Sequence, residues 1–527
     1  MTRTTVVQPS DPTLRPALQL ALLFAAIKLV FHIASALWQQ HIGYGYFRDE
    51  FYYLICGRHL AWGYVDQGPV VAVQARVAET LFGHSLVGIR LLSALGGAIR
   101  VALTGLICWA LGGRRSAQAL AMLLVLATPI YLGIDSFLSM NSWESAFWMP
   151  CILALILILR GSSPRLWWTV FGVSAGLGLL NKPSMTFFLI ALALGLLLTP
   201  QRKILFTRYT AWGVALLVLI ALPNLFWQMH HHWATLEFLH NGRVHGKNTR
   251  LAPLPFLANQ IFVIGVLGAF VWIAGLVHLL RQRDRRWLGL TYCIFLAGMV
   301  AMGAKDYYVS PIYPYLFAAG GVAWQRRFAH RPRVQMDRTI AWPIFTVVII
   351  VISAIFIPAS NPVLRPATFL RYAHTLHLPN SDSENGKRAV LPQFYADRFG
   401  WQEEVDQITA AVRQLSPEDR AHAGIIADNY GEAGALDFLG HDLPPVVSGH
   451  NNYWLWGSHG VGGKVLIVIS GDPPQHFQSL CREVQVVGNM NHPLAMPFEQ
   501  HKKIYLLHDC QESQSPAQNW AKYKFYY

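Results

Sequence analysis

Acidic residues among aromatic rings, just after the first long apolar segment, are the strongest candidates for chemistry. Asp49 and Glu50 lie side by side between tyrosine and phenylalanine residues, and Asp66 follows before the next apolar segment. A carboxylate held among rings at a membrane surface is partly desolvated, which raises its basicity and suits it to accept a proton near neutral pH. The alternative is structural: the acidic pair could cap an interfacial helix and bind Arg48 or Arg58.

A second acidic pair, Asp135 and Glu144, lies near the ends of later apolar segments. Acidic groups at membrane depth cost free energy and usually mark function, so both are candidates for a reaction on the same face. Their structural alternative is helix capping, with Asn141 or Ser142 as the cap and Glu144 in the first turn.

Basic residues predicted on that face suit an anionic ligand: Lys182, Arg243, Lys247, Arg250 and Lys305. Lysine binds phosphate as a point charge and arginine as a bidentate fork, whereas nonspecific contact with lipid phosphates is the alternative. The run His230–His232 lacks the i, i+4 spacing that places two metal ligands on one helix face. We therefore predict no metal ligand, and the need for a divalent metal stays open.

The composition around these residues is that of a membrane protein. Hydrophobic residues make up 53% of the chain and charged residues 13%, about half the charged share of soluble proteins. About eleven apolar runs are long enough to cross a bilayer. They lie near residues 17–38, 86–110, 117–134, 143–160, 166–180, 184–199, 210–228, 256–280, 287–303, 307–324 and 340–358. The chain is thus predicted to be a polytopic α-helical membrane protein.

The charged residues between the runs predict their orientation. On one side of the membrane the connections carry 18 Lys and Arg, and on the other side 8, although the loops of the second side are longer. The more basic side is expected to be cytoplasmic. We therefore predict an inner-membrane protein with a cytoplasmic N-terminus, a retained first apolar run and a periplasmic C-terminal part.

The distribution of charge also divides the chain. Residues 1–359 carry 29 Lys and Arg against 11 Asp and Glu, whereas the remaining residues carry 13 against 17. We predict a transmembrane catalytic domain over residues 1–358, with a long first outer loop at 39–85, and a soluble extracytoplasmic domain over 359–527. The basic residues lie in short clusters between apolar runs and do not cover one solvated face, which excludes a nucleic-acid binder.

The last 169 residues alternate between strand-like and helical segments, which predicts a small α/β domain. The strand-like runs are Ala423–Ala427, Val465–Ser470 and Ile504–His508, and the helical stretches include Trp401–Gln414 and Tyr430–Leu439. Cys481 and Cys510 both fall here. An external compartment permits a disulfide between them, and two buried thiols are the alternative.

Motifs along nearly the whole chain resemble the bacterial branch of glycosyltransferase family 39. These proteins are relatives of the dolichyl-phosphate-mannose protein mannosyltransferases in the GT-C membrane superfamily. The first loop carries Arg48-Asp49-Glu50-x-Tyr52-Tyr53 and Tyr64-Val65-Asp66-Gln67-x-Pro69. Further matches are Ser139-Met140-Asn141-x-x-Glu144, Leu179-Leu180-Asn181-Lys182, Lys247-Asn248, Lys305-Asp306-Tyr307-Tyr308, the segment from Asp428 to Gly434 and the segment from Ser448 to Trp454.

The resemblance implies an enzyme that takes a sugar from a polyprenyl-phosphate donor and passes it, with inversion, to a glycan, lipid or protein acceptor on the outer face. It implies that Asp49 of the acidic pair is the catalytic base and that Glu144 or Asp135 assists. Tyr52, Asp66 and Tyr307 are implied to bind substrate. Related aminoarabinose transferases have a lysine where this chain has Gln67. Phosphate binding is therefore expected to depend on four other basic residues: Arg58, Lys182, Lys247 and Lys305.

Two other classes of protein remain as alternatives to this enzyme. A transporter or flippase for a polyprenyl lipid or a solute would show paired repeats and ionisable residues in the middle of its spans, and only Lys28, Arg90 and Arg100 lie there. Only the long acidic first loop argues against a structural or sensor protein. The donor already carries phosphate, so this enzyme needs no nucleotide site, and the chain has no glycine-rich phosphate loop.

Overall fold

The computed structural model describes residues 13–244, 251–329, 335–378, 389–511 and 514–527. Residues up to Ser360 form the helical region, and residues 361–527 form the C-terminal region. Each of the eleven apolar runs is helical. The helical region contains α1 (Leu14–His41), α2 (Arg48–Arg58), α3 (Pro69–Phe82), α4 (Leu86–Ala110), α5 (Arg115–Ala127), α6 (Pro129–Ile134), α7 (Asn141–Leu159), α8 (Pro164–Asn181), α9 (Ser184–Leu197), α10 (Arg208–His230), α11 (Ala234–Val244), α12 (Pro253–Ile264), α13 (Val266–Arg281), α14 (Arg286–Ala301), α15 (Tyr313–Ala329) and α16 (Gln335–Ser360), with 3₁₀ turns at Pro200–Phe206 and Asp306–Ile312.

Four of the described helices are long and apolar enough to cross a membrane by length and composition: α1, α4, α7 and α10. The count becomes six if two bent pairs each form one span, α9 with Pro200–Phe206 and α12 with α13. Helices α5 and α14 are apolar but shorter. The chain is accordingly a helical membrane protein, and the number of eleven spans stays a prediction.

One predicted apolar run, 256–280, consists of two helices with a sharp bend between them. Gly265 has a φ of +90°, a conformation that L side chains rarely adopt, and α12 and α13 meet there at 110°. A hydropathy pattern shows that a run is apolar but does not show where its backbone turns. The bend places α12 beside the turn Asp306–Ile312, near the site described below.

Small residues allow several helices to pack closely. A Cβ at Gly172 of α8 would lie 2.3 Å from the carbonyl oxygen of Gly213 in α10. A Cβ at Gly275 of α13 would lie 2.3 Å from the carbonyl oxygen of Leu316 in α15. Such contacts are typical of helices that associate in lipid, where van der Waals packing and not the hydrophobic effect brings helices together.

The C-terminal region packs helices against a five-stranded sheet with the strand order β2-β1-β3-β5-β4. Strands β2, β1 and β3 are parallel, and β5 runs antiparallel to both β3 and β4. Its elements are α17 (Pro366–Thr375), α18 (Gln393–Ala396), α19 (Trp401–Gln414), α20 (Pro417–His422), β1 (Ala423–Ile426), α21 (Tyr430–Leu439), β2 (Val446–Val447), α22 (Asn452–Trp456), β3 (Val465–Ser470), α23 (Pro474–Gln478), β4 (Cys481–Met490), β5 (Lys502–Cys510) and α24 (Pro516–Asn519), followed by a 3₁₀ turn at Trp520–Tyr523.

The three strand-like runs of the sequence lie in β1, β3 and β5, and the two helical stretches coincide with α19 and α21. Cys481 and Cys510 form a disulfide that joins the paired ends of β4 and β5. Of the two alternatives, the structure therefore contains the disulfide and not two buried thiols.

Helix α2 of the first outer loop is packed into the C-terminal region. Phe51, Tyr53 and Leu54 share one buried apolar cluster with Ala433 and Leu436 of α21. A Cβ at Gly434 would lie 3.0 Å from the Cβ of Phe51, so the two helices approach closely where the glycine lies. Aromatic residues of the first loop therefore pack against the C-terminal region of the protein and are not restricted to contact with lipid.

Candidate active site

A cavity of about 700 Å³ lies between α2, the helical region and the C-terminal region. It brings together six of the residues predicted from the sequence: Asp49, Tyr52, Asp66, Lys182, Lys305 and Tyr307. Arg48 and Arg243 also line it, so its described walls carry two carboxylates and four cations. Residues separated by hundreds of positions thus form one acid- and base-lined site.

Glu50 fixes the start of α2 and does not line the cavity. It is fully buried, and its carboxylate accepts hydrogen bonds from Arg90 Nε at 2.9 Å and Nη2 at 2.8 Å, and from the backbone N–H groups of Phe47 and Leu138, each at 2.8 Å. Burial alone would raise the pKa of Glu50, but the charge of Arg90 and these hydrogen bonds outweigh it and hold the pKa below its ordinary value. The geometry makes Glu50 a structural partner of Arg90.

Asp49, one residue earlier, lies on the other side of the helix and is 28% exposed at its side chain. Its Oδ1 accepts a hydrogen bond of 2.9 Å from the hydroxyl of Tyr430, and Arg48 Nε lies 3.6 Å from the same oxygen. The described residues donate no hydrogen bond to its Oδ2. A carboxylate that is held by one oxygen and keeps the other available can accept a proton from a ligand.

Asp66 is held by both of its oxygens. Tyr52 donates to Oδ1 at 2.9 Å, and Asn451 donates through Nδ2 to Oδ2 at 3.1 Å. Burial raises the pKa of Tyr52 well above its usual value, so its hydroxyl stays protonated and remains a donor. The side chain of Asn452 accepts from the backbone N–H of Val65 at 2.7 Å and ties the same loop to the C-terminal region.

Lys182 reaches the cavity from the end of α8 and is paired with Glu144. Its ammonium lies 3.1 Å from Glu144 Oε2 and donates to Asn141 Oδ1 at 2.7 Å. The same ammonium lies 4.5 Å from the centre of the Tyr308 ring. Glu144 is 4% exposed and also accepts from Ser184 Oγ, so it orients the lysine and does not itself line the cavity.

Asp135 lies apart from the cavity walls, in a fully buried ionic cluster. Its Oδ2 is 2.9 Å from Lys28 Nζ and 2.9 Å from Arg100 Nη1, and its Oδ1 accepts from Arg100 Nη2 at 3.1 Å. This cluster connects the end of α6 to α1 and α4. Its visible role is to hold α6, which carries cavity residues, against α1 and α4.

Three other predicted residues are not in the cavity or fall outside the described chain. Arg58 pairs with Glu79 at 2.7 Å and donates to the carbonyl oxygen of Asp437 at 2.9 Å. Gln67 is buried and donates to Cys56 Sγ at 3.3 Å. Neither lines the cavity. Lys247 lies outside the described residues.

Several cavity residues come from the C-terminal region and were given no role from the sequence. The cavity is lined by Gln393 and Phe394 of α18 and by Tyr430 of α21. Asn451 does not line it but donates a hydrogen bond to Asp66. The signal was present, since the segments that contain Tyr430 and Asn451 are among the motifs of the resemblance. The sequence did not indicate that these two segments of the C-terminal region contact the first loop.

No group of three or more His, Cys, Asp or Glu residues within the described ranges could hold a metal ion. In the His230–His232 run, the ring of His231 stacks on Trp227 with the ring centres 4.0 Å apart.

Comparison with known proteins gives matches over different parts of the chain. The family described as dolichyl-phosphate-mannose-protein mannosyltransferase matches residues 66–227. Undecaprenyl phosphate-alpha-4-amino-4-deoxy-L-arabinose arabinosyl transferase 1 of Pseudomonas fluorescens is 25% identical over 166 residues, which are 31% of this chain and 29% of that protein. Lipid A galacturonosyltransferase RgtD of Rhizobium johnstonii is 27% identical over 278 residues, 50% of this chain and 56% of that protein. The chain matches less than two thirds of the length of either relative.

Solved structures match nearly the whole chain. ArnT from Cupriavidus metallidurans bound to undecaprenyl phosphate has a TM-score of 0.58 and 15% identity, over 92% of this chain and 97% of that one. The arabinofuranosyltransferase AftD from Mycobacteria has a TM-score of 0.55 and 14% identity, over 93% of this chain and 40% of that one. At such identities the likeness shows the fold. The chain therefore has the fold of these two solved structures, and its residues 66–227 match the family that its motifs resemble.

Proposed function

We propose that this protein is a membrane glycosyltransferase that moves a sugar from a polyprenyl-phosphate donor to an acceptor hydroxyl on the outer face of the inner membrane. The observation that carries the proposal is the cavity, in which Asp49 and Asp66 lie together with Lys182, Lys305 and Arg243. Carboxylates suit the sugar and the acceptor, and cations suit the donor phosphate. Both named curated relatives are sugar transferases, which supports the same reaction class.

In the proposed mechanism Asp49 is the general base. Its carboxylate takes the proton of the acceptor hydroxyl as that oxygen forms a bond to the anomeric carbon from the side opposite the lipid phosphate. The bond between the anomeric carbon and the phosphate oxygen breaks, and the phosphate leaves with the electron pair, so the configuration inverts. The nearby cations stabilise the charge that grows on the phosphate, an effect worth about 3 kcal/mol for a well-placed donor. General-base assistance adds roughly 10²- to 10⁴-fold.

The proposal includes the orientation of the chain. The excess of basic residues on one side supports a cytoplasmic N-terminus, and the disulfide between Cys481 and Cys510 is of the kind that persists in an oxidising compartment. The cavity and the C-terminal region are then periplasmic. The long apolar helices hold the polyprenyl tail near the cavity.

The test measures sugar transfer by the purified protein in proteoliposomes. Radiolabelled polyprenyl-phosphate aminoarabinose and galacturonic acid are supplied separately with lipid A as the acceptor, with and without EDTA. Label moves to the acceptor if the proposal holds. Label that crosses the bilayer while still attached to the polyprenyl lipid indicates a flippase instead.

The Asp49→Asn variant is expected to lose transfer by at least about 10²-fold, because the amide cannot accept the proton. Asp442→Asn is the matched control, since this exposed aspartate lies in a loop of the C-terminal region and its left-handed φ of +54° suits asparagine equally well. The control keeps wild-type activity. Turnover by Asp49→Asn at the wild-type rate would reject Asp49 as the base.

A further inference from the structure

The C-terminal region supplies a hydrogen-bond donor to each carboxylate of the cavity. The hydroxyl of Tyr430 donates to Asp49 Oδ1 at 2.9 Å, and the amide of Asn451 donates to Asp66 Oδ2 at 3.1 Å. Both acids belong to the first outer loop, almost 400 positions earlier in the chain. A region that only covered the membrane part would not need to reach these two side chains.

Tyr430 is placed accurately by the start of α21. Asn429 caps the helix by accepting from the N–H of Gly431 at 2.8 Å, and Glu432 completes the capping box by accepting from the N–H of Asn429. Lys502 of β5 then donates to Glu432 Oε1 at 2.6 Å. The first turn of α21 is thus fixed to the sheet.

The charge of Lys502 makes this anchor firm. Burial alone would lower the pKa of Lys502, but Glu432, Glu499 and Asp428 outweigh it and raise the pKa well above its usual value. The ammonium therefore stays charged and keeps its distances of 2.6 Å to Glu432 and 2.9 Å to Glu499. A sheet-anchored helix start is a rigid support for a tyrosine that must meet a distant carboxylate.

The ring of Tyr430 is held as firmly as its backbone. It stacks on Tyr52 with the ring centres 4.6 Å apart, and it lies 4.6 Å from the ring centre of His450. Arg48 Nη2 donates to the Tyr430 oxygen at 3.1 Å, which polarises the hydroxyl as a donor toward Asp49. Arg48, Tyr430 and Asp49 therefore form one chain of hydrogen bonds with a single direction.

We propose that the C-terminal region completes the catalytic centre, with Tyr430 as the positioning residue that holds Asp49 by Oδ1 and leaves Oδ2 for the acceptor hydroxyl. This inference rests on the proposed function. It also separates the roles of the two acids. Asp66, engaged at both oxygens, is suited to orient a substrate, whereas Asp49, engaged at one, is suited to take a proton.

The first test is the kinetics of Tyr430→Phe, which keeps the ring stacking and removes the hydroxyl. We expect kcat to fall about 10- to 100-fold, as for the loss of one hydrogen bond to a charged group, with the KM for the donor changed by less than about twofold. A lower kcat with an unchanged KM separates a positioning role from a loss of donor binding. Tyr505→Phe is the matched control, since its hydroxyl donates to the carbonyl oxygen of Asp472 at 2.6 Å in the same region.

A second variant keeps the fold whatever the effect of phenylalanine. Replacement of Tyr430 by 3-fluorotyrosine preserves the ring and keeps a hydroxyl donor, so kcat is expected to return to the wild-type range. A tyrosine needed only for the packing of its ring would give the same kcat in both variants. Wild-type kcat in Tyr430→Phe would overturn the inference.

A third measurement does not depend on turnover. A double-mutant cycle of Tyr430→Phe and Asp49→Ala in thermal unfolding measures the coupling between the hydroxyl and the carboxylate. The effects of these two substitutions on the melting temperature are expected not to add, whereas those of Tyr505→Phe and Asp49→Ala are expected to add. If the wild-type protein transfers no sugar while the first pair is still coupled, the proposed function fails but the contact between Tyr430 and Asp49 is confirmed. If sugar is transferred and Tyr430→Phe keeps the wild-type kcat, the positioning role fails.

Discussion

Asp49 and Glu50 are neighbours in the chain, and the helix turns their side chains into different surroundings. Glu50 is buried against Arg90, whereas Asp49 reaches the cavity beside Tyr430. The sequence suggested two readings of this pair, one chemical and one structural. In the structure Glu50 caps α2 and binds Arg90, not the predicted Arg48 or Arg58. Asp49 lies in the cavity with its Oδ1 hydrogen-bonded to Tyr430, and its role as a base stays a prediction.

Replacement of Glu50 by glutamine is expected to destabilise the protein by about 3 to 5 kcal/mol, because Arg90 is left buried without a counter-charge. Thermal unfolding of the purified protein in detergent measures the loss. Glu418→Gln is the matched control, since its side chain is 79% exposed and its pair with Lys464 is on the surface. Equal melting temperatures for the two variants would contradict the structural role.

This substitution also changes the response to acid. Since the pKa of Glu50 is lower in the folded protein than in the unfolded chain, its contribution is present above the ordinary glutamate pKa and is lost as the pH falls through the folded value. The wild-type protein therefore loses this part of its stability in acid. Glu50→Gln lacks that loss, so the difference in melting temperature between the two proteins narrows as the pH falls.

Residue types and motifs were enough to predict some of the residues that line the cavity, but not how their side-chain atoms are paired. Asp49, Asp66, Lys182 and Lys305 were chosen from the sequence and lie in one cavity. Nothing in the sequence indicated that Arg58 is engaged by Glu79, because long basic side chains choose partners that depend on tertiary packing. Roles for these side chains in transfer stay predictions.

At the scale of elements, a buried ionic cluster of Lys28, Arg100 and Asp135 connects α1, α4 and α6. It contains two cations and one anion, and Arg100 also donates to the carbonyl oxygen of Ser142 at 2.8 Å, at the start of α7. The cluster thus contacts the first turn of α7, which also carries Glu144, the partner of Lys182.

Asp135→Asn is expected to destabilise the protein by about 3 to 5 kcal/mol, because two buried cations lose their only carboxylate in the cluster. Lys28→Met is the matched comparison, since it leaves the Arg100–Asp135 pair electrically balanced. We therefore expect a clearly smaller fall in melting temperature for Lys28→Met. The reverse order of the two variants would show that the cluster is not held together by charge balance.

Helical elements were predicted well from apolar runs because lipid demands long apolar surfaces with internally satisfied backbones. Bends were not predicted. Two examples are the 120° angle between α9 and Pro200–Phe206 and the 110° angle at Gly265. These angles depend on local backbone geometry, about which a hydropathy average contains no information. In the C-terminal region, strand-like apolar runs predicted β1, β3 and β5. Strand β4 is exposed along much of its length, so its sequence contains no such run.

At the scale of the whole molecule, the first outer loop is shared between the two regions. The backbone N–H of Asn452 donates to the hydroxyl oxygen of Tyr52, and the backbone N–H of Val65 donates to Asn452 Oδ1, across 400 and 387 positions of the chain. Contacts of such separation have no local signature in a single sequence, which is why the role of the C-terminal region could not be predicted. The fold class depends on local patterns and could be predicted.

The disulfide provides a test of orientation for the whole chain. Cys481 and Cys510 are separated by 29 residues, and closing a loop of that size stabilises a fold by roughly 3 to 4 kcal/mol. In intact cells a membrane-impermeant maleimide is expected to label these cysteines only after an impermeant reductant is added. The Cys481→Ser/Cys510→Ser protein is the control. Labelling that requires permeabilised cells would place this region in the cytosol.

The hydrogen bond between Tyr430 and Asp49 joins residues 381 positions apart, and this separation has a consequence for biosynthesis. A ribosome that adds 5 to 20 residues per second needs roughly 20 to 80 seconds to pass from one to the other. During that interval the nascent chain already contains Asp49, but Tyr430 and the rest of the C-terminal region have not been made. Under the proposed function, truncated products and chains stalled in the translocon are therefore expected to transfer sugar poorly, and full activity is expected only after the C-terminal region has been exported.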